Sequence, residues 1–168
     1  MNPVYILTGA VHSGKTTKLM KWAVTQSNID GIYQPVIEGK RFIYHIGTRA
    51  LKPLETGEEE NITPIGKFKF SNITFEWSRQ ILKSCLSKKP DWIIIDEIGP
   101  LELAGKGLEP AFTEVIESKG KISSRILCVV REDILDKFIE KYQLQSCYEI
   151  FESEDEGKDE NRNRNGKE

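Results

Sequence analysis

The sequence predicts an α/β fold in three layers, with a mostly parallel central sheet and an inserted β-hairpin. Three observations predict it. Trp92–Ile95 and Ile126–Val130 are apolar runs without alternation, the pattern of strands buried on both faces of a parallel sheet. Segments with apolar residues at helical spacing separate such runs. Early in the chain, Glu38-Gly39-Lys40 divides two extended runs and supplies the glycine that a tight hairpin needs. Strands that alternate with helices place helices on both faces of one sheet.

Taken in order, Val4–Thr8 is a short β-rich run, followed by a glycine-rich loop and a helix from about Gly14 to Thr25. Leu19, Trp22, Ala23 and Gln26 share one side of that helix. Ile32–Ile37 and Arg41–Ile46 are the two arms of the hairpin. Gly47–Thr63 is polar and holds Pro53 and Gly57, which predicts a loop. Lys67–Phe70 alternates as an edge strand does. Ser71 or Asn72 can cap a helix over Ile73–Ser87, whose Trp77, Ile81, Leu82 and Cys85 fall on one face. After the Trp92–Ile95 strand, Leu108–Ser118 carries Leu108, Ala111, Phe112, Val115 and Ile116 at i, i+3, i+4, i+7 and i+8. Beyond Ile126–Val130, Asp133–Tyr142 is a helix with Ile134, Leu135, Phe138, Ile139 and Tyr142 inward. Cys147–Phe151 is the last strand.

The chain has 168 residues, of which 38% are hydrophobic and 30% charged. That predicts a single globular domain over residues 1–151. The last seventeen residues, 152–168, hold seven acids and four bases and no apolar residue, so they read as a disordered tail. The remaining body is near neutral, which gives no electrostatic case for nucleic acid. No apolar run approaches the ~20 residues of a membrane span. Met1-Asn2-Pro3 opens without a basic and then apolar leader, so a cytoplasmic protein is expected. The three cysteines, Cys85, Cys128 and Cys147, form no CxxC pair and read as small hydrophobes.

Gly9-Ala10-Val11-His12-Ser13-Gly14-Lys15-Thr16 matches G-x-x-x-x-G-K-[ST], the phosphate loop. The two glycines let the backbone wrap a phosphate with its N–H groups, and the following helix turns its positive end to the same anion. Lys15 reaches the β- and γ-phosphates, the Thr16 hydroxyl is a Mg²⁺ ligand, and Thr17 is the last of the nucleotide-binding residues that begin at Gly9. A strand before the loop and a helix after it supply the context the motif requires. His12 is read as a loop position that serves the phosphate through its backbone. His45 has no partner nearby in sequence, and a two-histidine metal site is not expected.

Trp92-Ile-Ile-Ile-Asp96-Glu97 ends a buried strand in two carboxylates, the Walker B form. In a parallel sheet that end faces the ligand crevice. Asp96 is then the second magnesium ligand, and Glu97 is the acid that orients or deprotonates an attacking water. Arg131 follows the next strand at the same edge and is a candidate for γ-phosphate charge, or else a surface arginine partnered by Glu132 or Asp133. Arg41, Arg49 and Arg79 are weaker candidates for the same task.

Asp96-Glu-Ile-Gly-Pro-Leu-Glu-Leu103 resembles the D-E-I-G-x-[ML]-E-[LM] signature of the THEP-type P-loop nucleoside-triphosphatases, the cancer-related NTPase family. Ile6–Thr17 resembles that family's N-terminal loop. Gly39–Ile46, Thr56-Gly57-Glu58, Ile65-Gly66-Lys67-Phe68 and Phe75-Glu76 resemble its later elements in order, and the likeness spans about residues 3–151. The resemblance implies a small cytoplasmic, Mg²⁺-dependent NTPase with broad nucleotide choice, ATP and GTP included, that uses Glu97 in catalysis. Two departures stand out. Ala10–Ser13 replaces a stretch where the family carries Pro and extra Gly. The family's Asn-Arg pair after the last strand has its nearest counterpart in Asn161-Arg162, inside the acidic tail. Two other functions compete with NTP hydrolysis. One is a nucleotide-binding adaptor with little turnover that acts through a partner bound at Gly47–Thr63 or the tail. The other is a small-molecule phosphotransferase, which needs an acceptor site.

Overall fold

The computed structural model describes residues 2–9 and 14–152. Strand β1 (Val4–Gly9) leads to helix α1 (Lys15–Ala23). Four strands follow: β2 (Ile29–Tyr33), β3 (Val36–Ile37), β4 (Lys40–His45) and β5 (Leu51–Pro53). The hairpin of β6 (Ile62–Ile65) and β7 (Phe68–Ser71) precedes α2 (Asn72–Lys88). Next come β8 (Trp92–Ile98), α3 (Pro100–Leu103) and α4 (Ala111–Glu117). The described chain ends with β9 (Arg125–Arg131), a 3₁₀ turn at Glu132–Ile134, α5 (Leu135–Lys141) and β10 (Tyr148–Ile150).

The main sheet runs β10-β1-β9-β8-β2-β4-β3, with β5 also paired to β4. β10, β1, β9, β8 and β2 are mutually parallel, and β3, β4 and β5 add antiparallel pairs at one side. The expected three-layer architecture is therefore present. Strand alternation sorts its two cores. Ile93, Ile95, Ile126, Cys128 and Val130 pack with Leu82, Cys85, Phe112, Val115 and Phe138 from α2, α4 and α5. Trp92, Ile94, Leu127 and Val129 face the other way, against Leu19 and Ala23 of α1. Each of the Ile, Leu, Val and Phe side chains stabilises the fold by roughly 1.5–3 kcal/mol when fully buried. Among the described residues no helix is long and apolar enough to cross a membrane.

Several elements differ from the sequence reading. The run Ile32–Ile37 is split by Gln34-Pro35: proline lacks the ladder N–H, so β2 stays beside β8 while β3 turns off into the hairpin. The hairpin turn itself has Glu38 and Gly39 both left-handed, at φ 51° and 78°. The Gly47–Thr63 loop is corrected, because it contains β5 and the start of β6. Pro53 misled that reading, yet it pairs with Phe42 on an edge strand, where a missing donor is harmless. Lys67–Phe70 is a strand as expected, but it lies in a separate two-stranded sheet with β6. Ser71 does cap α2, its side chain accepting from Thr74 N at 3.2 Å. The helix read from Leu108 begins at Ala111, although Leu108 is fully buried in the turn before it. Cys85 and Cys128 are buried, and Cys147 is half-buried.

Candidate functional site

β1, β9 and β8 are parallel neighbours, so their carboxyl ends share one edge of the sheet, with Gly9 in register with Arg131. Gly14 caps α1 in the left-handed conformation, at φ 79°, where a side chain is disfavoured. Ala10, Val11, His12 and Ser13 lie outside the described residues. Lys15 Nζ donates to Gly9 O at 3.2 Å, folding back over the start of the loop. Thr16 Oγ1 donates to Asp96 Oδ2 at 2.9 Å, across 80 residues of sequence. Thr17, one residue further along α1, is exposed.

Asp96 is completely buried. Its Oδ2 also accepts from Gln34 N at 3.0 Å, and its backbone oxygen accepts from Gln34 Nε2 at 3.2 Å. Oδ1 is buried with no hydrogen-bond partner. Burial pushes the carboxyl up to about 6, against the pull of the Gln34 N–H, while nearby Glu97 raises it further. Gln34 escaped the sequence reading. Its signal was a polar residue inside an apolar extended run and directly before proline.

Strand β8 carries an irregularity between Ile95 and Ile98, where its register with β9 shifts. Glu97 sits in this bulge in the left-handed region, at φ 61°. A non-glycine residue there costs about 1–3 kcal/mol, a strain that bulges next to functional sites commonly hold. The kink re-aims the side chain: Asp96 points inward to Thr16, and Glu97 opens toward a cleft, with Arg41 Nη1 at 3.4 Å. Arg41, a weaker candidate in the sequence, is thus the cation beside Glu97.

The cleft has a volume of about 230 Å³ and is bordered by Gln34, Arg41, Glu97 and Arg131 at its polar end. Leu54, Ile65, Phe68, Phe70, Phe75 and Leu101 form its apolar walls. Arg131 borders it while its Nε donates to Asp133 Oδ1 at 3.0 Å, and this bond raises the guanidinium's already high pKa. Glu102, nearly fully buried, accepts from Gly99 N at 3.0 Å and Leu108 N at 3.3 Å, and so ties down the turn after Glu97. Burial pushes its carboxyl up to about 7, against the pull of the backbone N–H donors. His45 stands apart, its Nε2 2.9 Å from buried Asp30 Oδ1 and its Nδ1 2.8 Å from Thr48 Oγ1. Arg79 is also elsewhere, bonded to Glu76 and to Gly107 O. Arg49 occupies a left-handed position after β4, at φ 62°.

A phosphate-loop motif between β1 and α1, joined through Thr16 to a buried acid at the end of a parallel strand, defines a P-loop nucleotide-binding protein. The family model described as NTPase matches residues 4–165, and the chain belongs to this THEP1-like NTPase family. The resemblance carried by the D-E-I-G block is thereby borne out, and the match runs past Phe151 into the acidic tail. No curated protein matches the sequence significantly. The crystal structure of THEP1 from the hyperthermophile Aquifex aeolicus has the same fold, with a TM-score of 0.71, covering 93% of this chain and 92% of that one at 18% identity.

Proposed function

We propose that the chain is a Mg²⁺-dependent nucleoside-triphosphate phosphohydrolase that converts ATP, GTP and related NTPs to NDP and phosphate. The observation that carries this reading is the contact of Thr16 Oγ1 with Asp96 Oδ2 at 2.9 Å, beside an Oδ1 that is buried and unpartnered. An orphaned buried carboxylate oxygen is costly unless something binds it. A hydroxyl and one carboxylate suit Mg²⁺, which takes one or two protein oxygens and completes its shell with phosphates and water. When bound, the ion would neutralise charge on the β- and γ-phosphates.

The chain's own groups do the rest. The backbone N–H groups of Gly9–Thr17 cradle the phosphates, and Lys15 reaches the β- and γ-phosphates. Gln34 holds Asp96 from behind through two hydrogen bonds. Glu97 orients a water and accepts its proton as the water oxygen attacks the γ-phosphorus. Arg41 holds Glu97 aimed through its 3.4 Å contact, and Arg131, at the same edge, supplies charge to the γ-phosphate oxygens. Base choice is broad in this reading, as the resemblance to the THEP-type family implies.

Lys15→Ala should abolish NTP binding. Glu97→Gln should bind NTP as the parent chain does and lose about 10²–10⁴ in turnover, read as phosphate release in excess NTP. Wild-type turnover in Glu97→Gln would remove Glu97 from the mechanism.

A further inference from the structure

We propose that the cleft beside Glu97 is an acceptor subsite, and that the chain transfers the γ-phosphoryl group of NTP to a small, uncharged alcohol carrying a single ring. This rests on the reading that the γ-phosphate lies at Thr16 and Asp96 with Glu97 as base.

The position of the cleft is the first argument. Phosphoryl transfer is close to in-line, so the nucleophile enters opposite the leaving NDP oxygen. Glu97 marks that entry side, and the cleft opens from Glu97. In-line geometry directs the leaving diphosphate away from this entry side. The walls are the second argument. A water nucleophile needs no apolar chamber, yet three phenylalanines line this one, and Phe68 remains 41% exposed with its ring stacked on Phe70. An exposed, stacked aromatic at a cavity rim is a surface for another ring. The β6–β7 hairpin that carries it pairs with none of the main sheet's strands and forms one wall of the cleft.

Size and charge define the acceptor. At about 230 Å³ the cleft falls below the ~300–1,000 Å³ of sites for larger ligands, which favours one ring over a nucleotide. Its cations are already engaged, Arg41 with Glu97 and Arg131 with Asp133, while Glu55 is a second acid on its lining beside Glu97. A phosphate or carboxylate on the acceptor would meet those acids, so the acceptor is uncharged. In the step, Glu97 takes the hydroxyl proton, the alcohol oxygen bonds to the γ-phosphorus, and the bond from that phosphorus to the β–γ bridging oxygen breaks. The products are a phosphate monoester and NDP, with one proton released on turnover. Hydrolysis is the same step with water in an empty cleft.

The test incubates the full chain with Mg·ATP and, separately, benzyl alcohol, 3-hydroxymethylpyridine or 4-amino-5-hydroxymethyl-2-methylpyrimidine. ADP is followed by chromatography and phosphate species by ³¹P NMR. The expected result is a phosphate monoester from at least one probe, with ADP exceeding inorganic phosphate by the amount of ester formed. Phe68→Ala should then raise KM for that probe about tenfold, equivalent to ~1.4 kcal/mol, with kcat for transfer held. ADP and inorganic phosphate that stay equimolar with every probe overturn the proposal while leaving hydrolysis standing. ADP formed only when an alcohol is present supports transfer and refutes hydrolysis as the activity. A chain that binds no NTP overturns both.

Discussion

At the scale of single residues, the site is built from groups that the fold holds at a cost. Asp96 is fully buried, Glu97 is left-handed, and Glu102 is nearly fully buried in the turn that follows them. Glu102 gives the clearest pH signature. Its folded-state pKa is raised to about 7 from an ordinary 4.5. Between those values the folded chain holds a proton that the unfolded chain has lost, so proton binding favours folding there. Stability from this group is full below about 4.5 and falls as pH rises through about 7. The fall is on the order of 3 kcal/mol, as an upper bound. Glu102→Gln should remove that slope from urea unfolding curves taken between pH 4.5 and 8. Near pH 4.5 it should also cost about 1–3 kcal/mol, because its amide nitrogen would face one of two N–H donors, and that deficit should close toward pH 8 as the parent loses stability. A variant with the parent's pH slope would mean that Glu102 is ionised throughout.

At the scale of elements, the close approach of β2 to β8 sets the site. Gly31 lies at φ 127°, and a Cβ there would sit 2.0 Å from Ile94 O. Only glycine lets β2 pair beside β8 and carry Gln34 to Asp96. Gly31→Ala should therefore destabilise the fold by at least about 3 kcal/mol, read from the denaturant midpoint. A loss under 1 kcal/mol would show that the strand pair tolerates the side chain. This pairing also marks the limit of what the sequence reveals. β1, the phosphate loop, α1 and the Trp92–Ile95 run were legible because their signals are local: a motif, a helical period, an unbroken apolar stretch. The bulge at Glu97 was not, since it exists only as a mismatch with β9. Gln34 and Arg41 as partners of the acid pair were not legible either, because β2 and β4 bring them there from more than fifty residues away. Short pieces such as α3 and β5 carry too few residues for a period, and Pro53 argued against a strand that proved to be an edge.

At the scale of the whole molecule, the nucleotide reading has a consequence for stability that couples the two ends of the site. Thr16 and Asp96 are 80 residues apart in sequence and meet only in the folded chain. A ligand held by both binds the folded state alone, and at a concentration of 100 Kd it adds about 2.7 kcal/mol. For a chain of this size each kcal/mol raises Tm by roughly 2–4 °C, so Mg·ATP should raise it by about 5–10 °C. Adding EDTA should remove most of that rise. Asp96→Asn separates function from folding. Asparagine fills the same buried space and removes a carboxylate whose charged form burial disfavours, so without ligand the variant should be at least as stable as the parent above pH 6. Its Mg²⁺-dependent rise should nonetheless vanish, because the orphaned oxygen has lost its charge. Thermal scans of both chains with ATP, with and without Mg²⁺, decide the matter. An equal Mg²⁺-dependent rise in the two would place the ion away from Asp96.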